Sequence, residues 1–281
     1  MSKAQIEKFA RVEGALACPL CGAGVRLDGT ALRCGGGHAF SVAAKGYANF
    51  VPNQRPLKGY DRAFFEARAR FFGRGAYRHV LDGLLDVLAA LDPTPRAVLD
   101  AGCGEGSYAR AVAAAPGLGG PTVFALDLAK DALQVASRGG SDVLWMVADV
   151  ARIPLRGASV DCVLDVFTPA NYAEFDRVLT PGGIVCKVVP SGAHLHELRH
   201  AAPGIVRSED YANDRVADYF AEHYDVVARV PAARTVALDE AARADLLAMT
   251  PLLFGADPAD VARIELPAVT VAAEILVGRR R

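Results

Sequence analysis

Four residues with metal-binding side chains stand near the start of the sequence: Cys18 and Cys21 in Cys-Pro-Leu-Cys, then Cys34 and His38. Each pair is close enough in sequence for both members to reach one ion. The twelve residues between the pairs fit a hairpin, with Asp28-Gly29 as its turn. Three thiolates and one imidazole make a closed tetrahedral set, the structural type for zinc, with no position left open for catalysis. A metal there would fold a module too small to build a core of its own.

A second stretch offers different chemistry. In Val98-Leu-Asp-Ala-Gly-Cys-Gly-Glu-Gly106 an apolar run ends in Asp100, and Gly102, Gly104 and Gly106 follow at alternate positions. An amphipathic segment, 107–115, comes next. The pattern predicts a buried parallel strand, a tight turn and a helix, with a ligand's charged part near the helix N-terminus. Nicotinamide and flavin enzymes use similar turns. Asp100, however, places a carboxylate at the strand tip, which suits a cationic amino-acid head and not a pyrophosphate. Asp127 closes the next strand, 122–127, where an acidic side chain can accept ribose hydroxyls. Together they point to S-adenosylmethionine. Asp149, after a third strand at 143–147, is placed to accept from the adenine amino group or to cap a helix.

These sites need elements to hold them. A fourth strand, 160–167, leads into Thr168-Pro-Ala-Asn-Tyr172 at the sheet end where ligands gather in open α/β folds. A helix over 172–179, a Pro181-Gly-Gly183 turn, a fifth strand over 184–189 and a late strand over 268–277 complete a Rossmann-like sheet. Ahead of it, a helix begins at Asp61 and another runs over 77–91, and 239–248 reads as a later one. Residues 41–60 read as irregular. Their aromatics interleave with Lys and Arg, which suits base stacking with phosphate neutralisation or packing against the zinc module. Arg62, Arg68, Arg70 and Arg74 form a candidate basic stripe, with the neighbouring phenylalanines as core.

Charge is divided unevenly. Residues 1–80 hold thirteen Lys or Arg against five Asp or Glu, whereas the remainder holds eighteen against twenty-seven. The whole chain, at −1, would not suggest a nucleic-acid binder, but its first part would. With 52% apolar residues, the 281-residue chain can build a large core, and no apolar run is long enough to span a bilayer. The start lacks the apolar segment of a signal peptide, which predicts a cytoplasmic protein. Six cysteines in that compartment read as metal ligands or buried thiols, not disulfides.

Taken together, the zinc module, basic linker and methyltransferase motifs resemble the 23S rRNA guanine-N1 methyltransferases of the RlmA/TlrB group over nearly the whole chain. The likeness rests on Cys18-Pro-Leu-Cys21, Cys34…His38, Lys45-Gly-Tyr47, Arg68…Phe71…Tyr77, the 98–106 turn, Phe167-Thr-Pro-Ala-Asn-Tyr172, His194-Leu195…Glu197-Leu198 and Leu247…Met249-Thr-Pro251. The Pro-Ala-Asn-Tyr segment looks like the Gram-positive branch, which includes macrolide-resistance members. The resemblance implies an α/β fold: a Rossmann-like class I S-adenosylmethionine-dependent methyltransferase domain with an N-terminal zinc-binding module. The division expected is 1–45 zinc module, 46–92 basic linker and helices, and 93–281 methyltransferase domain. It further implies zinc on Cys18, Cys21, Cys34 and His38. Cofactor contacts fall on Tyr77, Gly104, Glu105 and His194, and the protein is a homodimer gripping an rRNA hairpin of domain II. Gly35-Gly-Gly37 departs from the family's polar or basic filling, which weakens an RNA contact there and leaves the metal site intact.

Guanine N1 carries a proton at neutral pH, so its methylation requires proton removal and in-line positioning. A base in a helix must be extruded or taken from a loop. Asp165 is the candidate general base, unless it is a strand carboxylate turned away from the site. Asn171 is the candidate for the guanine edge, unless it caps the next helix. Two other readings compete: a small-molecule methyltransferase acting on a natural product, and a catalytically inactive zinc-ribbon RNA-binding protein.

Overall fold

The computed structural model describes residues 3–206 and 214–281. The first elements are helix α1 (Lys3–Ala10) and strands β1 (Val25–Asp28), β2 (Ala31–Cys34) and β3 (Ala39–Ser41). The three strands form an antiparallel sheet, with Val25 opposite Cys34. The β1–β2 turn is Gly29, in the left-handed region (φ 60°), where only glycine is free of strain.

Residues 41–60 are not wholly irregular. Strand β4 (Tyr47–Asn49) pairs in parallel with β7 (Leu144–Val147) and so adds an edge strand to the main sheet. Its side chains are mostly buried. No alternation marks so short a strand in sequence, and its pairing partner lies about a hundred residues away.

The main sheet has eight strands. Besides β4 and β7 these are β5 (Ala97–Ala101), β6 (Thr122–Asp127), β8 (Val160–Val166), β9 (Leu179–Pro190), β10 (Tyr224–Ala237) and β11 (Ala268–Arg280). The order is β10-β11-β9-β8-β5-β6-β7-β4, parallel from β9 to β4, with β11 and β10 antiparallel. The chain reverses direction across the sheet between β5 and β8, so their C-terminal tips border a crevice. The late strand is longer than its expected span, and β10 beside it has no counterpart among the expected elements.

The other α-helices among the described residues are α2 (Arg62–Gly73), α3 (Arg78–Ala89), α4 (Ser107–Ala114), α5 (Lys130–Ala136), α6 (Tyr172–Val178), α7 (His196–Ala201), α8 (Asp214–His223), α9 (Glu240–Met249) and α10 (Pro258–Ala262). Asp61 caps α2 by accepting from the Phe64 N–H at 2.9 Å, and Phe64, Phe65, Ala67 and Phe71 form its buried face. The phenylalanines are therefore core. The arginines do not form a free basic stripe: Arg62 pairs with Glu66, Arg70 with buried Asp245 of α9, and Arg74 with Asp239 and Asp245. The Arg70 and Arg74 pairs fasten α2 to α9.

The zinc module shares the core of the sheet. Cys18, Val25, Leu32 and Phe40 belong to one apolar cluster with Leu99, Phe124 and Leu144. Backbone bonds join the two parts, from the Ala17 N–H to the Pro154 carbonyl (3.1 Å) and from the Arg156 N–H to the Ala15 carbonyl (2.8 Å).

Trp145 of β7 packs under the glycine turn. A Cβ on Gly106 would stand 2.5 Å from its ring, and Gly106 has φ 86°. Gly106→Ala is expected to destabilise the protein by about 2–4 kcal/mol through overpacking and backbone strain. Chemical denaturation checks this, and wild-type stability in the variant would refute the packing role.

Candidate functional site

The Cys/His set assembles as its spacing predicts. The Sγ atoms of Cys18, Cys21 and Cys34 and a ring nitrogen of His38 all lie within 4.8 Å of one another. Nδ1 of His38 is 3.6 Å from Cys18 Sγ and 3.4 Å from Cys34 Sγ, and the sulfurs of Cys21 and Cys34 are 3.7 Å apart. Metal–ligand bonds of about 2.0–2.3 Å in tetrahedral array give separations of roughly 3.5–3.8 Å. The donors therefore fit zinc in chemistry and in size. Gly36 explains part of the glycine filling: a Cβ there would stand 3.1 Å from Cys21 Sγ.

The second site is the crevice at the tips of β5 and β8. Gly102, Gly104 and Gly106 all have positive φ, but they do different work. A Cβ on Gly102 would meet Thr168 of the β8 loop at 2.5 Å, and one on Gly106 would meet Trp145. Both are packing glycines. A Cβ on Gly104 would find nothing nearer than Arg68 Nε at 3.8 Å, so this glycine is the one that faces the cleft.

Three carboxylates surround the turn. Asp127 accepts from the Gly104 N–H (2.9 Å) through one oxygen and from the Ala129 N–H (2.8 Å) through the other, tying the turn to the β6 tip. Each oxygen keeps a lone pair for a ribose hydroxyl. Glu105 is buried and turned inward, accepting from the N–H and hydroxyl of Ser107 and from Arg110. Asp100 is buried, and its Oδ2 has no partner among the described residues. Burial, reinforced by the charges of Glu105 and Asp127, pushes its carboxyl up to about 8. An unpartnered, buried acceptor amid negative charge fits a cationic ammonium group.

Tyr77 and His194, far apart in sequence, meet in the cleft wall. His194 Nδ1 accepts from the Ala272 N–H at 3.2 Å, so the ring proton sits on Nε2 and points to the Tyr77 hydroxyl oxygen at 3.4 Å. Burial holds the imidazole neutral, lowering it to about 4. Tyr77 stacks on Phe72 (4.3 Å between centroids) and His194 on Phe167 (5.6 Å). Phe167 has φ 54°, a strained conformation held at the β8 tip by this packing. The contact between Tyr77 and His194 has no local sequence signal; only the family resemblance pointed to the pair.

The remaining predicted residues have local employment. Asp149 accepts from the Ala151 N–H (2.8 Å). Asn171 Oδ1 caps α6 by accepting from the Glu174 N–H (3.2 Å). Asp165 is fully buried, and its Oδ2 accepts from Lys187 Nζ at 2.6 Å. Lys187 also donates to the Thr168 carbonyl at 3.3 Å, so the pair supports the loop that borders Gly102. Burial raises the Asp165 carboxyl to about 6 against the opposing pull of Lys187. Lys187 and Arg68 are site-lining residues that spacing did not single out for this cleft.

Two outcomes follow. In the ligand-free protein Asp100 keeps its proton up to about pH 8, whereas the unfolded chain loses it near pH 4. Between those values the unfolded state binds fewer protons, so this group lowers stability as pH rises. Asp100→Asn is expected to lose less melting temperature between pH 5 and 8 than wild type, and to bind S-adenosylmethionine at least about tenfold more weakly. Thermal scans and calorimetry measure both, and undiminished affinity would remove Asp100 from the site. Atomic emission is expected to find one zinc per chain. Cys34→Ser should lower both zinc content and melting temperature; a metal-free wild-type protein of equal stability would exclude the zinc reading.

Comparison with known proteins covers both parts. Residues 16–56 match the family described as "RlmA, N-terminal", and residues 98–183 match "Methyltransferase domain". The 23S rRNA (guanine(748)-N(1))-methyltransferase of Streptomyces fradiae is 34% identical over 263 residues, covering 90% of this chain and 91% of that protein. YxjB of Bacillus subtilis, whose name carries 23S rRNA (guanine-N(1)-)-methylation, is also 34% identical, over 94% of this chain and 96% of its own length. Among solved structures, the YcgJ protein of Bacillus subtilis covers 73% of this chain and 99% of its own at 16% identity, with a TM-score of 0.50, and so shares the fold. End-to-end identity above 30% joins a zinc ribbon to a methyltransferase domain in one order, and the chain belongs to the 23S rRNA (guanine-N1-)-methyltransferase family.

Proposed function

We propose that this protein methylates N1 of a guanine in a 23S rRNA hairpin of domain II, using S-adenosylmethionine, and works in the cytoplasm as a homodimer. A role in macrolide resistance is part of the same reading, by the likeness of the Pro169-Ala-Asn-Tyr172 segment to the Gram-positive branch of the family. The observation that carries it is the join between the two sites. Exposed Lys45, Arg55 and Lys58 run from the zinc module toward Tyr60, and Tyr60 packs edge-on against Phe254 (5.0 Å) and near Phe65 at the Gly104 turn. Tyr60 and Phe254 are 37% and 41% exposed, which leaves aromatic surface for an unstacked base beside a phosphate-binding strip.

S-adenosylmethionine supplies a sulfonium-activated methyl group when bound. The residues that would hold it are Asp100 for the ammonium, Asp127 for the ribose, Asp149 for the adenine, the backbone at Gly104-Glu105, and the Tyr77–His194 pair. Gly102 and Gly106 set the shape of the turn through their packing. The protein's own tasks are to orient the guanine and take up its N1 proton. The Asn171 amide nitrogen makes no hydrogen bond to a described residue and is assigned to the guanine edge. Asp165 Oδ1, buried and unpartnered, is assigned as the proton acceptor. Neutral His194 adds no positive charge beside the sulfonium.

The test is methylation of an unmodified 23S rRNA transcript, read by mass spectrometry of nuclease fragments. One 1-methylguanosine in a domain II hairpin fragment is expected, with turnover by Asp165→Asn reduced about a hundredfold or more. No methylated nucleoside, from protein that binds both zinc and cofactor, would overturn the rRNA reading. Unimpaired Asp165→Asn would remove only the base.

A further inference from the structure

Arg68 is the arginine of α2 left without a carboxylate at hydrogen-bonding distance. Arg62, Arg70 and Arg74 are each engaged by acids. The Arg68 side chain is 20% exposed, lies 4.4 Å over the Phe72 ring, and comes no closer than 4.0 Å to Glu105 Oε1. It makes no hydrogen bond to a described residue. Five N–H donors in a largely enclosed position are costly to leave unmade, and they present a fork that matches a carboxylate.

Its position says which ligand group it faces. Arg68 overhangs Gly104, the glycine open to the cleft. Glu105 cannot serve as its partner, because Oε2 is taken by Ser107 and Arg110 and Oε1 is too far for a hydrogen bond. Beside the same glutamate, at the β5 tip, stands Asp100 with its unpartnered buried oxygen. The cleft thus holds one carboxyl group with an unpartnered oxygen and one unsatisfied cation, beside the stacked rings of Phe72 and Tyr77. That pair is complementary to the zwitterionic end of an α-amino acid.

We propose that Arg68 is a cofactor-positioning residue that receives the α-carboxylate of the S-adenosylmethionine amino-acid tail, while Asp100 receives its ammonium. The inference rests on the cofactor assignment made above but not on the identity of the methyl acceptor. Holding both charged groups of the α-carbon fixes the chain that leads to the sulfonium and so the direction in which the methyl group points. Arg68 therefore acts on the geometry of transfer, through the cofactor, and not on the guanine.

The experiment is calorimetry on the full-length, zinc-loaded protein with two ligands: S-adenosylhomocysteine, and 5′-methylthioadenosine, which lacks the amino-acid tail. Arg68→Met, which keeps the packing over Phe72, is expected to weaken S-adenosylhomocysteine binding about 10- to 100-fold. Binding of 5′-methylthioadenosine should stay within about twofold. Arg68→Lys, which keeps the charge but loses the fork, should fall between wild type and Arg68→Met for the first ligand only, and it carries the test if Arg68→Met does not fold. Equal losses for both ligands, or no loss for either, would overturn the proposal. So would a variant that binds S-adenosylhomocysteine normally but loses affinity for RNA, since Arg68 would then be a phosphate contact. No methyl acceptor enters the measurement, so failure of the rRNA reading would leave its result intact.

Discussion

Three carboxylates gathered around one backbone turn set the terms for the rest of this protein. Asp100 and Glu105 are buried and Asp127 is partly buried beside them, and like charges in such a place repel strongly. Each is handled differently. Asp127 is hydrogen-bonded by two backbone N–H groups, and Glu105 is hydrogen-bonded by Ser107 and paired with Arg110. Asp100 keeps one oxygen without a partner, and burial raises its carboxyl to about 8. The unsatisfied member is the one at the strand tip, where a ligand enters. The turn is therefore shaped by its acids as much as by its glycines, and it favours a cation.

The surrounding elements are arranged to keep that turn fixed. Trp145 fills the space beneath Gly106, and Thr168 fills the space beside Gly102. The Lys187–Asp165 pair braces the Thr168 carbonyl from below. Helix α2 closes the turn from above, and its own position depends on Arg70 and Arg74 bonding Asp245 of α9. Asp245 is buried while both arginines reach solvent, so removing them would leave a buried carboxylate unpaired, which is costly. The clearest consequence of these pairs is geometric: they set where Phe65, Arg68 and Phe72 stand over the cleft.

The zinc module takes part in the same construction. Its metal-ligand loops lie at one end, but its apolar side chains enter the cluster beneath β5, β6 and β7, and the chain leaving it adds β4 to the sheet edge. Metal and sheet both hold the module, so the basic segment that follows is anchored at one end by β4 and at the other by Asp61, the cap of α2. In the function proposed above, a substrate held along that segment reaches the cofactor cleft by a short, tethered path. This continuity gives an rRNA-modifying reading a physical basis beyond the likeness of the parts.

Much of this was legible in the amino-acid order because the relevant residues are neighbours along the chain. Cys18, Cys21, Cys34 and His38 lie within a single hairpin's reach, and the strand–turn–helix around Asp100 is one continuous segment. Local spacing is enough for such sites, since short chain segments have few ways to arrange a ligand set. Other features have no local signature. Asn171 can cap a helix or face a substrate, and only the placement of α6 shows that its oxygen is taken. The arginines of α2 and its C-cap look alike in sequence, yet Arg62, Arg70 and Arg74 meet acids and Arg68 meets an aromatic ring above an open glycine. Tyr77 and His194 face one another only because β11, carrying Ala272, sets the imidazole's orientation from across the sheet. The partner of a buried polar group is fixed by the register and packing of distant elements, and that information resides in the assembled core, not in any window of the sequence.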